Sequence, residues 1–443
     1  MIFFLLLVSG TLSANDNKWK ERANNPVYLH RAIKQVTDIM VRDVYSPPVA
    51  SRTYAYITIA GYEAARYANP AYATLAGQLQ QLTFLDPPDP QLQYNYSLAA
   101  VNAVLLTGKP MVISEEKIED FRKMILDEFA ATGMPKEVFD NSVAWGKKIA
   151  NHILAWAAKD NYKQTRGLAK YTVTDDNQSW KPTPPAYMKA VEPYWSKIRT
   201  FLVDSATQFK PLPATIFSAD TNSTFYAAAR EVQKCGLALT AEQVQIANFW
   251  DCNPFKMNVN GHVMYATKKI SPGGHWINIA RLACMQAHAN LIRSAEAYAC
   301  LSVAMADAFI SCWDEKYRSK VVRPETYINR YIDESWTPLL QTPPFPEYTS
   351  GHSVVSAVSS VVLTRLFGEK FAYTDSTELE FGIGARRFTS FRQAAAEAAV
   401  SRLYGGIHYM SAITNGLLQG EAIGVFIADK LKMRPVSTRG KGL

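Results

Sequence analysis

Three separated stretches in the second half of the chain carry side chains whose types and spacing can do chemistry. The first runs from Trp313-Asp314-Glu315-Lys316 to Arg323-Pro324. Lys316 and Arg323 stand seven residues apart, about two helical turns, so on one helix both charges project from the same face. Pro324 then removes a backbone donor and ends or redirects the helix. The second stretch is Phe345-Pro346-Glu347-Tyr348-Thr349-Ser350-Gly351-His352, leading into the apolar run SVVSAVSSVV. Ser350 stands where a helix starts, and Gly351 lets a ligand approach the backbone. The free N–H groups and the helix dipole there make a seat for an anion. His352 exchanges protons near neutral pH with whatever fills that seat. The third stretch is Ser401-Arg402-Leu403-Tyr404-Gly405-Gly406-Ile407-His408. Arg402 and His408 diverge on an uninterrupted helix, whereas the Gly-Gly pair lets the backbone break so that they converge.

Taken singly, each stretch has an ordinary reading: a solvated face, a helix cap, a turn. Together they supply the guanidiniums of Arg323 and Arg402, the ammonium of Lys316, the imidazoles of His352 and His408, and the Ser350-Gly351 seat. That inventory neutralises a di- or trianion from several sides and adds a nucleophile or ligand and an acid–base group.

Lys-x6-Arg-Pro, Ser-Gly-His and Ser-Arg-x5-His, in this order, resemble the three-part signature of the superfamily of vanadate-dependent haloperoxidases and type 2 phosphatidic acid phosphatases. The likeness spans roughly residues 260–435. It implies that Lys316, Arg323, Ser350, Gly351 and Arg402 hold the equatorial oxygens of vanadate, with phosphate able to occupy the same site. It implies that His408 bonds axially to vanadium or attacks phosphorus, that His352 handles the proton and that Lys316 polarises peroxide. One pocket serves both chemistries because five-coordinate vanadate resembles the transition state of phosphoryl transfer. Two departures stand out. Thr349 replaces a common Pro. Ala412 stands where many members carry an Asp four residues after the last His, a carboxylate that would orient the imidazole. Here a backbone carbonyl or another side chain has to orient His408.

Trp313 and Phe345 match aromatics that flank the site in haloperoxidases, and the chain has a helical half beyond what a simple phosphatase needs. The expectation is therefore a haloperoxidase-like enzyme that oxidises halide with hydrogen peroxide. The alternative is a secreted acid phosphatase or phosphatidic acid phosphatase-type phosphomonoesterase that acts on a phosphate ester through a phosphohistidine. A degenerate oxyanion-binding protein is a third reading, invited by Ala412 alone.

The elements that must position these residues are helical. Apolar residues recur at three- and four-residue intervals over 28–70 (broken at Pro47-Pro48), 92–107, 115–131, 136–160, 223–235, 240–251, 275–300, 299–316, 351–367, 387–403 and 410–432. Alternating strand patterns are missing. The expected fold is all-α, with two helical bundles and the oxyanion site on the C-terminal one. Residues 15–220 form the N-terminal helical region, with a Pro-rich connection at about 161–220. A haloperoxidase-type helical domain spans 221–435, and 436–443 is a flexible tail. The first fourteen residues, MIFFLLLVSGTLSA, read as a signal peptide, which implies export to a periplasmic or extracellular place. No other run is apolar for eighteen residues, so no membrane span is expected.

A net charge of +8 spread without basic runs argues against nucleic acid and is no more than a hint of an anion site. The five cysteines, at 235, 252, 284, 300 and 312, show no CxxC spacing, so neither a zinc site nor a dense disulfide framework is indicated. His275, in Ser-Pro-Gly-Gly-His-Trp, reads as a capping or packing residue that could also line the pocket. His30, His152, His262 and His288 have no partner pattern. Walker, nucleophile-elbow and HExxH motifs are absent from the sequence.

Overall fold

The computed structural model describes residues 18–260 and 262–434. The expected signal peptide at 1–14 and the tail at 436–443 lie outside the described residues. After a helical stretch over residues 18–23, the N-terminal half continues with α1 (Val27–Arg42) and α2 (Pro47–Ala65), separated at the expected proline pair. Ser46 caps α2 by accepting the Val49 N–H at 3.4 Å, and the prolines occupy the first turn, where no backbone donor is needed. Then come α3 (Tyr96–Gly108), α4 (Glu115–Ala130), α5 (Lys136–Ala157) and the short α6 (Tyr162–Thr165).

Between α6 and residue 223 the one regular element is a 3-10 turn at Trp195–Lys197. This Pro-rich stretch is nonetheless pinned to the core. The buried carboxylate of Asp307 accepts the N–H groups of Phe201, Leu202 and Val203 at 2.6, 2.8 and 3.0 Å, and Trp180 N donates to the Lys320 carbonyl at 2.7 Å.

The second half continues with α7 (Thr224–Leu237), α8 (Ala241–Phe249), α9 (Pro272–Gln286), α10 (Leu291–Ser319), α11 (Pro324–Tyr331), α12 (Gly351–Phe367), α13 (Phe391–Tyr404) and α14 (Met410–Lys430). Two antiparallel ribbons, β1 (Met257–Asn260) with β2 (Val263–Ala266) and β3 (Tyr373–Asp375) with β4 (Arg386–Phe388), interrupt the helices. Strands of three and four residues are too short for an alternating pattern to stand out. The helix expected from 387 starts at Phe391 because Arg386–Phe388 pairs with β3. The helix expected over 275–300 is cut: α9 ends at Gln286, His288 turns left-handed at φ 49°, and Asn290 caps α10 by accepting the Arg293 N–H.

α10 has the length and apolarity of a membrane span, but its apolar window is wholly buried in the protein. It is the central core helix, with α2 from the N-terminal half against it and α12 on another flank. One hydrophobic core therefore runs from Trp19 to Met433 and is shared by both halves. α14 approaches α12 through Gly416, Gly420 and Gly424. A Cβ on Gly420 would lie 2.2 Å from the Val354 carbonyl oxygen, so only glycine permits this backbone contact. That close approach sets the N-terminus of α12 against the start of α14, where Ser350 N donates to the Ala412 carbonyl at 3.1 Å.

Candidate active site

The three sequence stretches meet in one cleft of about 500 Å³ that opens to solvent. Trp313, Phe345, Gly351, His352, Arg402 and His408 line it, together with Pro47 from the N-terminal half and Cys252 and Asn253 from the turn after α8. Lys316, Arg323 and Ser350 are fully buried beside it.

The route by which the first stretch reaches the cleft differs from the helical expectation. α10 stops at Ser319, Lys320 adopts a left-handed conformation, and Arg323 is extended as the N-cap of α11. Lys316 and Arg323 are thus on opposite sides of a chain break, not on one helical face. Pro324 starts a helix rather than ending one. Lys316 donates to the carbonyls of Pro346, Glu347 and Thr349 at 3.0, 3.0 and 2.6 Å, which uses all three ammonium donors. It pins the turn that presents Ser350 and keeps its charge near the cleft, 5.1 Å from the centre of the Phe345 ring. Burial lowers its pKa to about 8.

Arg323 donates through Nε to the Phe345 carbonyl (3.0 Å) and through Nη1 to the Ile407 carbonyl (2.9 Å), with His408 Nε2 3.1 Å from the same nitrogen. Its Nη2 is buried without a partner, as is Nε2 of His352. Two enclosed, unmatched polar nitrogens beside one cleft need a ligand to complete them. Ser350 Oγ caps α12 by accepting the Ser353 N–H at 3.3 Å. A Cβ on Gly351 would meet the Trp313 ring at 3.6 Å and no other atom within 4 Å, so the helix N-terminus opens onto the cleft.

The glycine break occurs as expected. α13 ends at Tyr404, Gly406 takes φ +75°, and His408 follows just before α14. Arg402 is buried and donates through Nη2 to the Trp250 carbonyl at 2.8 Å.

Glu347 occupies the place left open by Ala412. Its Oε1 lies 2.8 Å from His408 Nδ1 and accepts the Tyr409 N–H at 3.0 Å. Because Arg323 can only donate, His408 Nε2 is the acceptor and Nδ1 carries the hydrogen. The imidazole therefore offers a lone pair from Nε2, and burial, then the charge of Arg323, hold its pKa well below the ordinary value. Burial, then Arg402, does the same for His352, whose Nε2 is enclosed although the residue keeps partial exposure. Burial raises the Glu347 carboxyl to about 7. Sequence spacing points to a carboxylate one helical turn after His408, whereas Glu347 comes from a loop 61 residues upstream.

The flanking aromatics form one wall: the Trp313 and Phe345 rings lie 4.9 Å apart, tilted by 51°, and Trp313 Nε1 donates to the Val191 carbonyl at 3.2 Å. His275 does not line the cleft. It is buried behind it between Asp375, Cys252 and Glu378. The five cysteines are all free thiols.

The cradle fits a tetrahedral oxyanion: two guanidiniums, an ammonium, a helix N-terminus and a tautomerically fixed imidazole surround it, and two of its nitrogens lack partners. Comparison with known proteins bears on which oxyanion. The family model described as the VCPO second helical-bundle domain matches residues 296–335 and 331–435. No curated protein matches. A solved bacterial vanadium-dependent iodoperoxidase is 48% identical, with a TM-score of 0.87 over 93% of this chain and 97% of that one. A bacterial vanadium-dependent chloroperoxidase shares the fold at 16% identity in its holo form (TM-score 0.64, 88% of this chain, 94% of that). Its apo form gives 17% (TM-score 0.66, 87% and 94%). Nothing among these findings favours the phosphatase reading. With this identity over nearly the whole of both chains, and the three signature stretches gathered in one cleft, the chain belongs to the vanadium-dependent haloperoxidases.

Proposed function

We propose that the enzyme holds vanadate at the floor of the cleft through His408 Nε2 and uses hydrogen peroxide to oxidise iodide. The observation that carries this reading is the Glu347–His408 pair: the carboxylate at 2.8 Å keeps the hydrogen on Nδ1 and the lone pair on Nε2, where a ligand would take it over from the Arg323 N–H. Bound vanadate supplies a Lewis acid that activates peroxide toward halide without changing oxidation state.

The chain's own residues divide the remaining tasks. Arg323 Nη2, the Arg402 guanidinium and the first N–H groups of α12 neutralise and orient the oxyanion's oxygens. Lys316 contributes charge and holds the 346–349 turn, all of its donors being engaged by carbonyls. His352, kept neutral by burial beside Arg402, accepts a proton from incoming peroxide and returns it. The Trp313–Phe345 wall offers little to replace a tightly held hydration shell, which favours the large, weakly hydrated iodide over smaller halides. The 48% identity to an iodoperoxidase supports the same choice. Phosphate, a tetrahedral oxyanion of similar charge, competes for the cradle. The apolar run at 1–14 supports export, and a mature N-terminus at Asn15 in protein recovered from outside the cytoplasm checks it.

The deciding experiment loads purified protein with vanadate and measures peroxide-dependent oxidation of iodide and bromide beside hydrolysis of an aryl phosphate. Iodide oxidation should depend on vanadate, fall with added phosphate and vanish in His408→Ala. Aryl phosphate hydrolysis that vanadate inhibits, without halide oxidation, overturns the proposal.

A further inference from the structure

Behind the cleft lies a second group of convergent ligand atoms that the oxyanion chemistry does not use. Cys252 comes from the turn after α8, His275 from the first turn of α9, and Glu378 from the 3-10 turn Thr377–Phe381 that follows β3. All three are buried. His275 Nδ1 lies 3.3 Å from Cys252 Sγ and 3.1 Å from Glu378 Oε1, and the sulfur is 4.0 Å from that same oxygen. On the far side of the ring, His275 Nε2 lies 2.7 Å from Asp375 Oδ2. Asp375 is fixed in turn by the Thr377 N–H on its other oxygen, at 3.0 Å.

We propose that Cys252, His275 and Glu378 bind a zinc ion whose fourth position is left to a water molecule, with Asp375 orienting the histidine. Ordinary zinc bond lengths of about 2.3 Å to sulfur and 2.0–2.1 Å to nitrogen and oxygen are satisfied together by one point, with angles of about 100°, 100° and 135° at the metal. The sum of these angles, about 330°, is that of a pyramidal, tetrahedron-like centre with one side open. Asp375 on the remote nitrogen is the carboxylate that zinc-bound histidines use to set their tautomer. A thiolate, an imidazole and a carboxylate form a donor set that suits zinc, whose filled shell takes no part in redox chemistry beside a peroxide-consuming cleft.

Hydrogen bonding alone accounts for the cluster less well. The imidazole has two nitrogens, and each already faces a carboxylate. A single Nδ1 hydrogen would have to serve both Cys252 Sγ and Glu378 Oε1.

The zinc would clamp the 250–253 turn onto α9, where the Trp250 ring already stacks on His275 at 4.6 Å. That turn carries the carbonyl that aims Arg402 at the cleft. The motif escaped the sequence reading because its ligands lie 23 and 103 residues apart, outside any paired spacing.

The test uses the full chain without vanadate, so its failure leaves the oxyanion site untouched. Protein purified without added metal, or reloaded with Zn²⁺ after chelation, should hold about one zinc per chain by elemental analysis. Co²⁺ in its place should give a thiolate-to-cobalt charge-transfer band. Cys252→Ser should remove that band, while Cys235→Ser should keep it. Asp375→Asn should weaken zinc binding about 10–100-fold. Absence of both retained or reloadable zinc and the cobalt band in folded wild-type protein overturns the proposal, whatever the variants do. So does a cobalt band that survives Cys252→Ser.

Discussion

Buried arginines occur in two parts of this molecule and are handled in opposite ways. In the N-terminal half, Arg52 Nε donates to Asp160 Oδ2 at 2.6 Å, and the Tyr56 hydroxyl donates to that oxygen at 2.8 Å. The charge is neutralised within the protein. In the cleft, Arg323 and Arg402 are more deeply buried, yet among the described residues neither forms an ion pair, and their partners are neutral carbonyls, the Ser401 hydroxyl and the His408 ring. Of the carboxylates beside the cleft, Glu347 is engaged with His408, and Asp251 is held by Lys269 at 2.7 Å. A desolvated, unpaired cation is costly, so its retention marks a place where a foreign anion completes the structure. The first pair serves folding, and the second set serves a ligand.

The largest expected effect breaks the neutralised side. Asp160→Ala strands the Arg52 guanidinium, whose side chain is only 11% exposed, and removes the acceptor for Tyr56. Stability should fall by about 3–5 kcal/mol, read by denaturant unfolding, while iodide oxidation per folded molecule stays at the wild-type rate. A loss of turnover without a loss of stability would erase the contrast.

Arg402→Met should do the reverse. The Trp250 carbonyl that Arg402 engages also accepts the Cys252 N–H at 2.8 Å, so little is left unsatisfied when the guanidinium goes. Vanadate-dependent turnover should drop on the order of 10²–10³-fold, as when an oxyanion donor is removed. The unfolding free energy of the vanadate-free protein should stay within about 1 kcal/mol of wild type, because an unpaired buried charge has been removed.

The cleft residues were legible because each chemical type recurs at a fixed spacing, and most helices were legible because their apolar periodicity is long. What escaped depended on distance in the chain. Glu347 reaches His408 across a loop, and Asp307 seats three consecutive N–H groups from a stretch that reads as structureless. Lys316 and Arg323 looked co-helical because spacing alone cannot reveal that Lys320 turns left-handed between them. The shared core was also hidden, since two runs of helices look the same whether or not α2 packs on α10.

Asp307 extends the comparison to an anion that the protein supplies itself. Burial raises its pKa from 3.8 to about 6, although the three N–H groups pull the other way. The folded state therefore prefers the protonated acid. Its contribution is fully present below about pH 4 and lost as pH rises through about 6, a change on the order of 2–3 kcal/mol. Unfolding curves between pH 4.5 and 7.5 should show this slope in wild type and lose it in Asp307→Asn. An unchanged slope in the variant would assign the effect to other groups.

The smallest effect probes the carboxylate that stands in for position 412. Glu347→Gln keeps an oxygen that can accept from both His408 Nδ1 and the Tyr409 N–H, so the geometry survives and only the charge is lost. A neutral partner makes Nε2 a weaker donor without changing its tautomer. Vanadate affinity should fall about tenfold, toward the low end of the range for such supporting carboxylates, with turnover at saturating vanadate nearly restored. Glu347→Ala, which also frees the ring to rotate, should lose more affinity and recover less turnover. Equal affinities in wild type and both variants would mean that Glu347 only anchors its loop, and would move the orientation of His408 to Arg323 alone.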